Sequence, residues 1–294
     1  MRSYVVPIDF SKSSNLALDY AIARARRRNA KLILVHVLAN NSFVAATSED
    51  SSSVELVIKA REFARESARN QMRKLVASKG LAPKEHQVVF HEGLDAAAAI
   101  AAQARKSRAR MIIMGSEGRT GLQRLLSGSV AEATLRATRR PLLIVKQGRL
   151  IKPAGKKILV PVDFSKVSDL ALKGAKEIAK TEKEALVLLS VVTDPDVMVP
   201  FYLRDDHHVS LLKEGRERIK QLARRMRIAP SQYQAVVMRS RDAATAIAQE
   251  AKKKRVSMIV MGSHGRTGLQ HLIIGSVAEK TLRHAPCPVL IYKK

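Results

Sequence analysis

Two matching segments decide the fold of this chain: MIIMGSEGRTGLQRLLSGSVAEATLR at residues 111–136 and MIVMGSHGRTGLQHLIIGSVAEKTLR at residues 258–283. Each begins with a short apolar run typical of a buried strand, continues through a glycine-rich loop and ends in a helix-forming sequence. A second matched pair lies upstream, where YVVPIDFSKSSNLALDYA begins at Tyr4 and ILVPVDFSKVSDLALKGA begins at Ile158. Because both pairs occur in the same order, the sequence indicates duplication of one whole domain.

The length of the chain agrees with this duplication. Its 294 residues are enough for two domains of about 150 residues each. The segment QGRLIKPAGKK at residues 147–157 is polar and basic and contains Pro and Gly, as linkers do. We therefore predict a first domain in residues 1–147 and a second in residues 156–294.

Within each half, apolar runs alternate with helical segments. The runs LILVHVL at residues 32–38 and LVLLSVV at residues 186–192 are continuous rather than alternating, which favours strands buried on both faces. Long charged helices are predicted at about residues 54–78 and 211–226, and shorter ones at about residues 15–28 and 169–180, after the Ser-rich turns near the start of each half. Strands that alternate with helices predict βαβ units and a mostly parallel sheet.

The glycine-rich loop carries the strongest functional signal. It has the same form, G-x2-G-x9-G-S, in both halves, and a basic residue follows its second glycine. Glycine lets the backbone approach a ligand closely, and its N–H groups and those of the following helix can bind anionic oxygens. The pattern predicts a phosphate site, although Ser129 and Ser276 each also begin an S-x-x-E capping box. On that alternative, the hydroxyls only cap their helices and the glycines only form turns. The loop is neither a P-loop nor a G-x-G-x-x-G fingerprint.

At these residues the chain resembles the universal stress protein family in its tandem two-domain form. The family's G-x2-G-x9-G-[ST] signature is complete in both halves, and its V-D-x-S strand end corresponds to PIDFS and PVDFS here. The resemblance implies two tandem doubly wound α/β domains, each a five-stranded parallel sheet of order 3-2-1-4-5 between helix layers. In such a sheet ligands bind at the carboxyl edge where the strand order reverses, here between strands one and four.

The resemblance also implies an adenine nucleotide, namely ATP or in its place ADP or AMP, with Mg²⁺ bridging its phosphates. The aspartate after strand one would lie near the ribose, the valine of strand two near the adenine, and the glycine loop around the phosphates. For each aspartate the alternative is a helix-capping role. The implied binding residues of the first domain are Asp9, Val37, Met114, Gly115, Gly118, Arg119, Gly128, Ser129 and Val130. Those of the second domain are Asp163, Val191, Met261, Gly262, Gly265, Arg266, Gly275, Ser276 and Val277.

The two loops differ at one informative position. The second half has His264 where the family usually has histidine, whereas the first half has Glu117. A carboxylate beside a triphosphate is repulsive unless it points to solvent or binds the metal. We therefore predict that the second site binds ATP more tightly than the first.

The charge of the chain is strongly basic, with 53 Lys and Arg residues against 26 acidic residues and a net charge of +27. Basic runs at residues 24–28, 106–110 and 252–255 lie where helices should end, and cations there complement the helix dipole. A solvated basic surface explains this pattern, and a polyanion partner such as DNA or RNA is the alternative. Against nucleic acid, no known motif is present, and only 4% of residues are aromatic and able to stack on bases.

Several features limit the class of protein. The single cysteine, Cys287, excludes an intrachain disulfide and is predicted to be a small core or boundary residue. The first residues do not resemble a secretion signal, and no apolar run reaches the roughly 20 residues that span a bilayer, so we expect a cytoplasmic protein. The tract Asp205-Asp206-His207-His208 matches no standard metal-ligand spacing, and no metal site is predicted there.

The leading hypothesis is an ATP-binding universal stress protein that acts as a nucleotide-dependent stress-response or regulatory protein. No catalytic residues are predicted, because no general base or arginine finger is evident, and any ATP hydrolysis should be slow. The alternatives are a polyanion-binding protein and a protein-interaction adaptor without ligand, although two intact loops argue against the adaptor. By the resemblance, the last strands PLLIVK and PVLIYK pair within the chain as a pseudo-dimer, and further assembly into homodimers is compatible with it.

Overall fold

The computed structural model describes residues 2–38, 51–116, 130–146, 156–192, 204–265 and 274–293. The chain divides into two compact units, Met1–Arg140 and Pro141–Lys294. Across the described ranges the structure has ten strands and eight α-helices, with one short 3₁₀ helix at Pro230–Gln232. None of the described helices is long and apolar enough to cross a membrane.

In its described residues, the first unit contains four parallel strands in the order β3-β2-β1-β4. Its strands are β1 (Ser3–Pro7), β2 (Lys31–Leu38), β3 (His86–Glu92) and β4 (Met111–Gly115). Its helices are α1 (Lys12–Arg28), α2 (Ser51–Ser78), α3 (Ala96–Lys106) and α4 (Val130–Ala137). Strand β1 is central, since Val5 lies opposite Ile33 on one side and Ile112 on the other.

The second unit contains a sheet in the order β5-β10-β9-β6-β7-β8. Its strands are β5 (Leu142–Val145), β6 (Lys157–Pro161), β7 (Ala185–Val192), β8 (Tyr233–Arg239), β9 (Met258–Gly262) and β10 (Val289–Tyr292). Its helices are α5 (Lys166–Glu182), α6 (Arg204–Arg225), α7 (Ala243–Lys254) and α8 (Ser276–His284). Strands β6 to β10 are parallel and follow the predicted order 3-2-1-4-5, which confirms the fold class.

Strand β5 joins the sheet of the second unit. It pairs antiparallel with β10, with Ile144 opposite Val289 and Leu142 opposite Ile291. The predicted pairing of the two last strands within the chain is therefore present. Because β5 pairs with β10, it belongs to the second unit, and the boundary between the units falls after Arg140. The domain limits 1–147 and 156–294 stay a prediction.

The helices begin where serine side chains cap them. Ser11 Oγ accepts a hydrogen bond from the Ser14 N–H at 3.1 Å, and Ser165 Oγ accepts one from the Ser168 N–H at 3.2 Å. These caps start α1 and α5 three residues earlier than the sequence predicted, because a serine N-cap satisfies an otherwise unpaired amide of the first turn. The helices then cover apolar strands that are almost completely buried.

The single cysteine lies in this core. Cys287 is 2% exposed, as predicted for a small core residue. Burial raises the pKa of its thiol to about 12. A thiol that stays protonated is a poor nucleophile, so the structure gives Cys287 a packing role.

Candidate functional site

The carboxyl edge of the second sheet opens into a cavity of about 460 Å³. This volume lies within the range of small-molecule sites, about 300–1,000 Å³. Eight of the nine predicted second-domain residues line the cavity: Asp163, Val191, Met261, Gly262, Gly265, Gly275, Ser276 and Val277. The ninth, Arg266, lies outside the described residues. The topology thus gathers at one place residues that are far apart in sequence, while their contact with a ligand stays a prediction.

Asp163 follows β6 and holds the turn that leads into α5. Its Oδ1 accepts a hydrogen bond from the Ser165 N–H at 3.0 Å. The helix cap itself is Ser165, so the alternative in which Asp163 caps the helix is wrong. The carboxylate is half-buried and lines the cavity. The turn therefore holds Oδ1 of Asp163 in place, and the carboxylate lies at the cavity wall.

The residue after each aspartate has an unusual backbone. Phe10 and Phe164 both have φ of 65°, in the left-handed region that costs a bulky residue about 1–3 kcal/mol. The same strain at the same position in both copies marks these turns as functional candidates. Sequence patterns gave no signal for it, because phenylalanine is not a residue that favours positive φ.

Two glycines of the second loop lie where a side chain would press on its neighbours. A Cβ on Gly262 would lie 2.8 Å from Val167 Cγ1, at the start of α5. A Cβ on Gly265 would lie 2.8 Å from Asp163 Oδ2. The first glycine therefore lets β9 approach the helix, and the second lets the loop approach the carboxylate.

In the second domain, the capping-box alternative, in which Ser276 is the N-cap of the last helix, is wrong. Gly275 is the N-cap of this helix and Ser276 is its first helical residue, without a side-chain cap hydrogen bond. The Gly275 N–H donates to the Ser263 carbonyl oxygen at 2.7 Å. This hydrogen bond joins the start of α8 to the residue that follows β9. Amides in the first turn of a helix have no acceptor inside that helix, so this end of α8 can bind an anion at the cavity.

His264 contributes an imidazole to the same wall. Its Nδ1 lies 2.9 Å from Ser263 Oγ, and Ser263 is completely buried. Ser263 therefore orients the ring at the cavity. Its first-domain counterpart, Glu117, lies outside the described residues, so the predicted difference in affinity stays a prediction.

The first domain repeats the carboxyl-edge arrangement where it is described. Asp9 Oδ1 accepts from the Ser11 N–H at 3.0 Å, again with the serine as the helix cap. A Cβ on Gly115 would collide with Ser13, including its carbonyl carbon at 2.7 Å. Val37 is the next-to-last residue of β2.

Two further first-domain residues are placed by the structure: the Met114 side chain is buried in β4, and Val130 is 46% exposed at the start of α4. The remaining predicted residues lie outside the described part: Gly118, Arg119, Gly128 and Ser129.

Sequence reasoning missed two side chains beside these sites, His36 and Arg218. His36 is buried in the first domain, its ring centroid 4.7 Å from that of Phe10. Its Nδ1 lies 2.6 Å from the Ile8 carbonyl oxygen, and because a carbonyl only accepts, Nδ1 carries the proton. In the second domain the Arg218 guanidinium lies over the Phe164 ring, 4.2 Å from its centroid.

Metal ligands are the remaining question at the site. Within the described ranges no group of three or more His, Cys, Asp or Glu side chains could hold a metal ion. The side chains at residues 205–208 lie outside the description. An ion that binds with a nucleotide would take phosphate and carboxylate oxygens, and Asp163 and Glu214 are carboxylate residues that line the cavity.

The fold and the cavity define a doubly wound α/β protein with a cavity at the carboxyl edge of its second sheet. The family model of the universal stress protein family matches residues 1–146 and 155–293. The chain belongs to this family.

Relatives that match the whole chain and relatives that match about half of it support the assignment. Universal stress protein Mb2028c of Mycobacterium bovis is 26% identical over 308 residues, covering 99% of this chain and 96% of the relative. Universal stress protein MJ0531 of Methanocaldococcus jannaschii is 36% identical over 146 residues, covering 47% of this chain and 82% of the relative. The crystal structure of a universal stress protein from Archaeoglobus fulgidus has a TM-score of 0.66 and 21% identity, with 99% of this chain and 96% of that chain covered. That last similarity shows the fold.

Proposed function

We propose that this protein is an ATP-binding universal stress protein whose bound nucleotide regulates its action in a stress response. The observation that carries the proposal is the convergence of eight sequence-predicted residues on one cavity of about 460 Å³. A ligand that binds the folded state stabilises it and shifts its conformational equilibrium, which is how a nucleotide can act without being consumed.

The cavity wall supplies a partner for each part of a nucleotide. The first turn of α8, with Gly275 as its N-cap, offers amides to the phosphates. The Asp163 carboxylate can accept hydrogen bonds from ribose hydroxyls, and the backbone near Val191 can bind the edge of the adenine. We propose ATP as the ligand, with ADP or AMP as alternatives and with Mg²⁺ at the phosphates.

Regulation fits this site better than rapid catalysis. The proposal assigns no general base to any residue of the cavity, so ATP hydrolysis should be slow at most. We also propose a cytoplasmic location, in keeping with a lone, buried cysteine. Assembly into homodimers stays a prediction of the family resemblance.

The proposal is tested by titrating the protein with ATP and Mg²⁺ in a calorimeter. Asp163→Asn keeps an acceptor for the Ser165 N–H but removes the charge that would face the ribose. We expect the second site to weaken by about 10- to 100-fold, because a hydrogen bond to a charged group contributes about 1.5–3 kcal/mol. Asp9→Asn should have the matching effect on the first site.

Asp169→Asn is the matched control. Asp169 lies on α5 and forms an ion pair with Arg225 at 2.6 Å, and it is not among the cavity-lining residues. We expect its ATP affinity to equal that of the wild type. If ATP does not bind and the purified protein instead releases nuclease-sensitive polymer, the polyanion-binding alternative replaces this proposal.

A further inference from the structure

The cavity of the second domain is lined by an arginine that the nucleotide-binding residues described above do not include. Arg218 of α6 lines the cavity, and its guanidinium lies 4.2 Å from the centroid of the Phe164 ring. A guanidinium is a flat cation that stacks on aromatic rings on either of its faces. Held on a ring whose backbone is fixed at φ of 65°, it is a preorganised contact for a second aromatic group.

The first domain shows which residue takes the place of Arg218 in the other copy of the fold. The segments Ala82-Pro83 and Ala229-Pro230 fix the alignment of α2 with α6, and Arg218 then corresponds to Gln71. Gln71 is neutral, and its Nε2 donates to Ser67 Oγ at 3.2 Å. The residue that corresponds to Ser67 is Glu214, which lines the second cavity. The second domain therefore has a carboxylate and a guanidinium at two positions of this helix where the first domain has neutral side chains.

The phenylalanine after the aspartate also has different neighbours in the two domains. Phe10 contacts the His36 ring, which in turn contacts Phe90 edge-on at 6.1 Å between centroids. Their counterparts in the second domain are the smaller Ser190 and Val237. An aromatic cluster thus covers Phe10 in the first domain, whereas a guanidinium covers Phe164 in the second.

A glycine allows α6 to come close enough for this contact. A Cβ on Gly215 would lie 2.9 Å from Val237 Cγ1 of β8, so glycine lets the helix lie close to the strand. The corresponding residue of α2 is Ala68. Helix α6 packs on β7 and β8, and β7 also carries Val191, which the proposed function places near the adenine. We therefore place Arg218 at the base end of the cavity.

We infer that Arg218 is a ligand-contacting residue of the second site only, and that its guanidinium binds the aromatic base of the nucleotide by stacking. This inference rests on the proposed nucleotide function. It gives the second site a contact that Gln71 cannot supply in the first. The second site should therefore bind a nucleotide more tightly for a reason independent of His264 and Glu117.

The test titrates ATP and inorganic tripolyphosphate separately into Arg218→Gln, made together with Asp9→Asn so that the second site dominates. Gln is the residue that the first domain carries at this place in its own fold. We expect ATP to bind about fivefold more weakly, as for loss of a partly desolvated cation–π contact, and tripolyphosphate to bind unchanged. Arg218→Lys keeps the charge without the flat stacking surface and should recover only part of the ATP affinity.

Arg216→Gln is the matched control, because it removes one positive charge from the same helix at an exposed residue outside the cavity lining. It should leave both affinities unchanged. Unaltered ATP affinity in Arg218→Gln, or an equal loss for ATP and tripolyphosphate, overturns the base contact while the nucleotide function stands. Failure of the Asp9→Asn parent and the wild type to bind ATP overturns the proposed function and this inference together.

Discussion

Gly265 shows how a single missing side chain shapes the second site. The space that its Cβ would fill is occupied by Asp163 Oδ2, at 2.8 Å. The backbone of this glycine does not require positive φ, so the restriction comes from the carboxylate alone. Its effect should therefore fall on ligand binding more than on folding.

We predict that Gly265→Ala weakens ATP binding at the second site by about tenfold or more, because the methyl group displaces the carboxylate that would bind the ribose. Calorimetric titration measures the affinity, and thermal unfolding measures the stability. Gly80→Ala is the contrasting control: its φ is +56° and its Cβ would contact nothing within 4 Å. That variant should lose about 1–2 kcal/mol of stability from backbone strain and keep its ATP affinity. The reverse pattern would contradict this account of Gly265.

The aspartates, by contrast, could be predicted from sequence. Asp9 and Asp163 end apolar strands that the repeat identifies, and parallel strands bring their carboxyl ends to one edge. Their turn geometry could not be predicted, since the left-handed φ of Phe10 and Phe164 depends on packing around the strand end. Arg218 could not be predicted for a related reason. The sequence of its helix shows only that the helix is long and charged, and the contact with Phe164 depends on tertiary packing.

Among the elements, α1 is joined to the segment before β3 by a charged pair. Arg26 Nε donates to Glu85 Oε1 at 2.8 Å, and the Ala82 N–H donates to Glu85 Oε2 at 2.9 Å. The hydrogen bond from Arg26 and then the backbone one lower the pKa of Glu85 from 4.5 to about 2. A carboxylate with a lowered pKa stabilises the fold above its ordinary pKa, and this contribution is lost as the pH falls through the folded value.

We predict that Glu85→Gln is less stable than the wild type at neutral pH and that the difference disappears as the pH falls from about 4.5 to about 2. Urea unfolding midpoints measured across this range provide the comparison. The effect should be modest, because Arg26 is half-exposed and water screens the pair. Arg26→Gln should match it, and the double variant should add little further loss. A difference that does not vary with pH would contradict this assignment.

The elements themselves follow from the sequence to different degrees. Continuous apolar runs predicted β2 and β7, because a strand buried on both faces needs no alternation. The starts of α1 and α5 were predicted three residues late, since the apolar pattern is weaker than the serine caps. The N-cap of α8 was also ambiguous: S-x-x-E predicted Ser276, whereas the backbone gives Gly275 this position.

For the whole molecule, the repeat is the most informative feature. It predicted two copies of one α/β domain. The family resemblance implied the doubly wound order and the pairing of the last strands, and β5 does pair with β10. Comparison of the two copies also identifies individual differences, among them Arg218 in the second domain against Gln71 in the first. The net charge of +27 was not explained by any single site, because it is spread along the chain.

The most direct test of the account is hydrogen exchange by mass spectrometry, with and without ATP and Mg²⁺. We predict slower amide exchange at the carboxyl edge of both sheets: residues 262–265 and 275–278 in the second domain, and residues 9–13 and 115–116 in the first. Protection should be stronger in the second domain. Exchange that is unchanged at these residues, or slowed only on the basic helix α2, would contradict a nucleotide site at this edge.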